Sequence, residues 1–142
     1  MERTLDPMPL EECMSLLAST SVGRVAATAQ ALPVVVPVNF VLHGHAVVFR
    51  TRSDGLLARA CADAVVAFEI DEIEPGGAGG WSVLVVGMAR LLSGSEEVRA
   101  NQLNLASAAG PGSELFVSIA IGRVTGRRAG STVALDGHAA LS

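Results

Sequence analysis

The chain has 142 residues, is 50% apolar before its 15 glycines are counted, and carries a formal net charge of −4 with no lysine and no tyrosine. That balance excludes nucleic-acid binding through a basic surface, which takes an excess of cationic side chains, and the missing residue types exclude a Schiff-base lysine or a phenolic donor. It leaves one small domain richer in apolar residues than an average soluble one (roughly 45–50% with glycine included), which fits either an Ala/Val-rich core or surface buried against another subunit.

In chain order, PLEECMSLLAST (Pro9–Thr20) predicts a first helix. Proline suits its first turn, Glu11 and Glu12 suit its positive end, and Cys13, Leu16 and Leu17 give an apolar stripe. Val22–Thr28 predicts a strand, and Ala29-Gln30-Ala31 a turn into the valine-rich Leu32–Leu42. His43-Gly44 then turns the chain into His45–Arg52, completing a meander. A short helix is expected over Asp54–Ala62, with Asp54 as its cap, and a strand over Val65–Ile73. The glycine-rich EPGGAGG is expected to be a loop before a long strand, Trp81–Leu92. Ser95 is the expected N-cap of a helix running to Leu105. A loop over Ala106–Ser113, a last strand over Leu115–Thr125 and a flexible tail over 129–142 complete the chain. Both faces of Trp81–Leu92 are largely apolar, as in a closed barrel with a partner against its outside.

No stretch reaches the ~18 uninterrupted apolar residues of a membrane helix, and Leu32–Leu42 is broken by Pro33, Pro37 and Asn39. The acidic start MERTLDPMPLEE has no apolar signal core, so a cytoplasmic protein is expected. Cys13 and Cys61 form no CxxC pair and read as reduced, buried thiols.

The stretch FRTRSDG is the most informative about chemistry. Arg50 and Arg52 share one strand face, and Ser53 adds a hydroxyl where a helix begins. Two guanidinium groups there suit a phosphate, which they grip through paired hydrogen bonds. The alternative is that the arginines pair with nearby acids and hold no ligand. Asn39, a polar residue in an apolar strand, either meets a ligand or bonds across the sheet. Pro37, which lacks an N–H, suits an edge or bulge. Trp81 is either a ligand-stacking or an interface aromatic. His43 and His45 flank a turn glycine and are too few for a metal site. Glu69 and Asp71 share a strand face and read as solvated acids.

Taken together, Glu12-Cys13 with Leu16-Leu17, VGR (Val22–Arg24), PVVVPVNF (Pro33–Phe40), FRT (Phe49–Thr51), FEID (Phe68–Asp71), GWSVLVVGMA (Gly80–Ala89) and TGRR (Thr125–Arg128) resemble the pyridoxamine 5'-phosphate oxidase-like family of FMN-binding split β-barrels. The resemblance implies a mainly β (α+β) domain over residues 1–142 with its core in 8–128. It implies a six-stranded antiparallel split barrel with short flanking helices, forming a homodimer with flavin sites at the interface. Pro37, Val38, Asn39 and Phe40 would lie along the flavin ring. Arg50, Thr51 and Ser53 would hold its phosphate, with Arg52 in place of the lysine that relatives carry after the glycine of this turn. Trp81, Ser82 and Arg128 would reach across from the second subunit. The implied activity is FMN-dependent oxidoreduction of a small molecule, with deazaflavin F420 as a second cofactor option. The chain lacks the Arg-x-His ending of true pyridoxamine phosphate oxidases. It also lacks that lysine and a loop tryptophan, so a dimer without catalysis, with a ligand-binding or structural role, stands as the alternative.

Overall fold

The structure is a computed structural model that describes residues 5–105 and 113–129. Seven strands and three short helices follow in the order β1 (Leu5–Pro7), α1 (Leu10–Ser19), β2 (Val22–Ala29), β3 (Leu32–His43), β4 (Ala46–Arg52), α2 (Leu56–Ala60), β5 (Ala64–Ile73), β6 (Gly80–Leu91), α3 (Ser95–Ala100) and β7 (Glu114–Ala129), with single 3-10 turns at Pro75–Gly77 and Asn101–Leu103. No helix among the described residues is long and apolar enough to cross a membrane.

The expected meander is present. β2 and β3 pair from Val22↔Asn39 to Ala29↔Leu32. Their turn holds both Gln30 and Ala31 at positive φ, 53° and 66°, which matches the twist of a two-residue hairpin without the glycine that favours it. All pairings are antiparallel, and the order β7-β4-β3-β2-β5-β6 closes on itself because β6 also pairs with β7. Six strands therefore make a closed barrel, as expected. The seventh, β1, was not foreseen: three residues ending in proline give no periodic signal, yet Leu5–Pro7 pair with the far end of β7.

Inward side chains alternate along each strand. Phe40, Phe49, Phe68, Ile70, Ile119 and a set of valines are fully or nearly fully buried, and the Phe40 and Phe68 rings meet edge to face at 4.7 Å. Cys13 and Leu17 of α1, Leu57 and Ala60 of α2 and Cys61 just after it enter the same core. Burial raises the pKa of both thiols, Cys61 to about 11, so both are poor nucleophiles. α1 packs along β7 over Gly126, where an added Cβ would collide with Cys13 Sγ and Met8. Where β6 and β7 shift register, Gly87 lies against the Ala120 carbonyl and leaves no room for a side chain.

Several expected boundaries move. α2 starts at Leu56 with Gly55 at its cap and no side-chain cap bond, so Asp54 does not cap it; its carboxylate is taken by Arg52. Gly94, not Ser95, caps α3, at φ 62° and ψ −133°, a backbone region closed to side-chain-bearing residues. α3 ends at Ala100. The last strand runs on to Ala129, which pairs with Leu5 and Gly80. The rest of the expected tail, 130–142, and most of the expected loop, 106–112, lie outside the described residues. The two apolar faces of β6 differ in burial within the single chain. Val83, Val85 and Ala89 are in the core, whereas Leu84 and Met88 are 40% and 48% exposed.

Candidate functional site

The barrel opens between β3 and β4. Their ladder runs from His43↔Ala46 only as far as Phe40↔Phe49. Beyond it, β3 residues before Phe40 continue along β2, while Arg50, Thr51 and Arg52 continue along β7, opposite Phe116, Leu115 and Glu114. The two strands form a fork, and α2, packed on β2 and β4, fills it from the inside. Pro37–Phe40 lie on one arm and Arg50–Ser53 follow the other. The fold thus brings together two groups of site candidates that are ten residues apart in sequence.

Strand alternation sorts the β3 arm. Pro37 and Asn39 point outward and are exposed; Val38 and Phe40 point inward, 8% and 2% exposed. A planar ligand on the outside would therefore meet the side chains of Pro37 and Asn39, and only the backbone of Val38 and Phe40. Asn39 is not a buried polar residue in need of a cross-sheet partner.

On the β4 arm each arginine has a carboxylate. Arg50 pairs with Glu114 at 3.0 Å, with the Glu114 side chain only 6% exposed. It also donates to the Leu105 carbonyl at 3.2 Å and lies 5.2 Å from the Phe116 ring centroid. Its Nε is a buried donor with no partner among the described residues. Arg52 makes a two-point pair with Asp54 at 3.1 and 3.2 Å, both groups well exposed. That pair raises the Arg52 pKa and lowers that of Asp54. Ser53 donates its hydroxyl to the Ser113 carbonyl at 3.1 Å, and Thr51 is half-buried.

Trp81, Ser82 and Arg128 lie elsewhere, on the β6–β7 ladder, where Trp81 is opposite Arg128. Arg128 pairs with Glu12 of α1. Trp81 is half-buried against the core and lines a cavity of about 450 Å³ with Leu16, Ser19–Val22, Asp71 and Glu72. No residue of the β4 arm lines it. Within one protomer these three residues are not part of the fork.

Sequence reasoning missed Glu114, Phe116 and Leu105, which hold Arg50. It also missed Arg24, which binds Glu69 at 3.1 Å and Asp71 at 2.9 Å on the outer sheet face. There the Glu69 carboxyl is pushed up to about 7, first by burial and then by neighbouring Asp71, against the pull of Arg24. Among the described residues no three His, Cys, Asp or Glu side chains cluster as metal ligands.

A family profile described as pyridoxamine 5'-phosphate oxidase matches residues 9–128. The uncharacterized protein Rv0080 of Mycobacterium tuberculosis is 43% identical over 93 residues, which span 62% of this chain and 61% of that protein. The FAD binding protein from Mycobacterium smegmatis superposes with a TM-score of 0.71 at 28% identity, covering 91% of this chain and 98% of that one. A conserved protein of unknown function from Corynebacterium diphtheriae does so with a TM-score of 0.75 at 28% identity, covering 89% and 98%.

Proposed function

Because the chain belongs to the pyridoxamine 5'-phosphate oxidase family, we propose that it binds a phosphorylated flavin across the β3–β4 fork and acts as a flavin-dependent oxidoreductase. The observation that carries this reading is the fork itself. One arm carries the outward Pro37 and Asn39 and the other carries Arg50–Ser53, with the Arg50 Nε buried and unpartnered among the described residues.

The residues fit such a group. Arg50 is fixed by Glu114, the Leu105 carbonyl and the Phe116 ring, so its guanidinium is already ordered before a ligand arrives. Arg52 is held by a surface pair with Asp54, and such pairs are weak enough to exchange for a phosphate. Ser53 adds a hydroxyl, while Thr51 alternates with Arg50 and Arg52 and belongs to the other face of β4. On the other arm the Asn39 amide offers donors and an acceptor to a ring edge, and Pro37 offers a rigid apolar wall. Hydride chemistry is supplied by the flavin when bound, so the chain needs no acid–base pair of its own. Its residues bind and orient the cofactor, and the barrel core closes one side to water. FMN is the first reading. FAD is the second, favoured by the similarity to the FAD binding protein of M. smegmatis.

The proposal includes a homodimer in which Trp81, Ser82 and Arg128 of a second copy approach the fork. The outer sheet face supports it. Val22, Val35, Val65 and Met88 are each at least 48% exposed there. The acidic pair Glu69 and Asp71 on β5 and the outward Arg123 and Arg127 on β7 flank apolar β6 residues. A twofold axis along β6 would set the acids of one copy against the arginines of the other.

The test is the absorbance spectrum of the purified protein, followed by titration of the colourless form with FMN, FAD and F420. A flavin spectrum, or saturable quenching of added FMN or FAD, supports the reading. A colourless protein that takes up none of the three refutes it and leaves the non-catalytic alternative. A strictly monomeric species in sedimentation would refute the dimer.

A further inference from the structure

A second pocket lies outside the barrel, on the other side of Leu105 and Phe116 from Arg50 and lined by none of the fork residues Pro37–Phe40 and Arg50–Ser53. Outward residues of β4, β6 and β7 form its floor, and α3 with the 3-10 turn after it forms its wall. Val48, Ala100 and Phe116 are buried here in a small core of their own, packed by Val41, Leu92, Leu103 and Leu105. Beside that core is a cavity of about 220 Å³. Its apolar lining comes from Ala46, Val48, Leu92, Ala100 and Leu103, its polar lining from His43, Arg90, Glu96, Arg99 and Ser118.

Two features give the cavity a chemical preference. Ser118 is 9% exposed, and its hydroxyl, at the cavity floor, has no hydrogen-bond partner among the described residues. That hydroxyl is therefore open to accept from or donate to a molecule in the cavity. The charges on the rim do not cancel. Arg90 and Glu96 neutralise each other through a two-point pair at 2.8 and 2.6 Å. Arg99, exposed at the mouth, makes no ion pair among the described residues. It acts on the same Glu96 carboxylate through space, and Asp63 acts on Arg90, so the lining itself sets two guanidinium groups against one carboxylate.

We infer that this cavity binds a small monocarboxylate with an apolar body, the carboxylate held by Arg99 and Ser118 and the body lying against Val48, Ala100 and Leu103. The size fits. The volume is below the ~300 Å³ at which sites for drug-sized molecules begin, so a short alkyl or aryl acid of about ten heavy atoms suits it and a nucleotide does not. The site needs neither flavin nor dimer, and it holds or fails independently of the function proposed above.

The experiment is an amide-resolved NMR titration of the full chain with octanoate, and with 1-octanol as a neutral match in length. The expected result is saturable octanoate binding with shifts centred on Ala46, Val48, Leu92, Ala100 and Ser118. Octanol should bind at least about tenfold more weakly, the loss expected for one charge-assisted contact. Arg99→Gln, an exposed change that leaves the fold intact, should weaken octanoate by a similar factor. Ser118→Ala should weaken it too, with unchanged Tm confirming that the variant is folded. Equal affinity for octanoate and octanol, full affinity in Arg99→Gln, or shifts centred on exposed Val35, Val65 and Met88 would overturn the assignment. Displacement of octanoate by FMN would overturn its separateness from the fork.

Discussion

Arg50 stands at two junctions, and a pair of variants separates them. Its guanidinium neutralises Glu114, a carboxylate whose side chain is only 6% exposed, while Arg50 itself is 28% exposed. Removing one partner of a fully buried pair costs about 3–5 kcal/mol. The partial exposure of Arg50 lowers this to about 2–3 kcal/mol for Arg50→Met, or a fall in Tm of roughly 6–12 °C for a domain of this size. Adding Glu114→Gln removes the carboxylate that has lost Arg50, so Arg50→Met/Glu114→Gln should recover part of that loss. Flavin affinity should behave differently. If the Arg50 Nε binds the cofactor, both variants lose one charge-assisted hydrogen bond and weaken FMN at least about tenfold. Thermal unfolding without flavin, at fixed protein concentration, reads the first effect, and fluorescence titration the second. Recovery of affinity together with stability in the double variant would mean that Arg50 acts only through the fold. An unchanged Tm in Arg50→Met would refute the energetics assigned to the Glu114 pair.

Other outcomes follow from single positions. Asp54→Asn frees Arg52 from its competitor and should tighten FMN binding in the same titration; looser binding would count against Arg52 as a phosphate ligand. Ala31→Gly relieves a side chain held at φ 66° and should stabilise the protein by about 0.5–1 kcal/mol in urea unfolding. Gly87→Ala drives a Cβ into the Ala120 carbonyl and should cost at least about 1–3 kcal/mol by the same assay. The Glu69 carboxyl keeps its proton up to about pH 7 in the fold but loses it near 4.5 when unfolded. The unfolded state therefore binds fewer protons in that window, and this group's contribution to stability falls as pH rises from 4.5 to 7. Glu69→Gln should flatten that part of the Tm-versus-pH curve and raise Tm at pH 7.5 more than at pH 4; parallel curves would remove the shift.

The barrel was legible because its cues are local or patterned. Strand alternation, the Gln30-Ala31 and Gly44 turns and the apolar stripe of α1 each act over a few residues, and together they fix the element order. Half of the fork was legible too, since FRTRS announces its cations and PVNF its break in an apolar run. The partners of those cations were not. Glu114 meets Arg50 only because β7 pairs with β4 in one particular register, a tertiary fact with no sequence-local trace. The same holds for Arg24, brought to Glu69 and Asp71 by the β2–β5 ladder. Asp54 and Ser95 look like helix caps, but a nearby guanidinium and a glycine at positive φ take their places. Each is a case of local propensity yielding to a stronger neighbour.

The most direct test of the account is a crystal structure of the protein grown with FMN. The account predicts flavin density outside the barrel, its ring along Pro37–Phe40 and its phosphate within hydrogen-bond reach of Arg50, Arg52 and Ser53, with Asp54 swung away. Flavin seated elsewhere, or an empty fork in protein that binds FMN in solution, would contradict it.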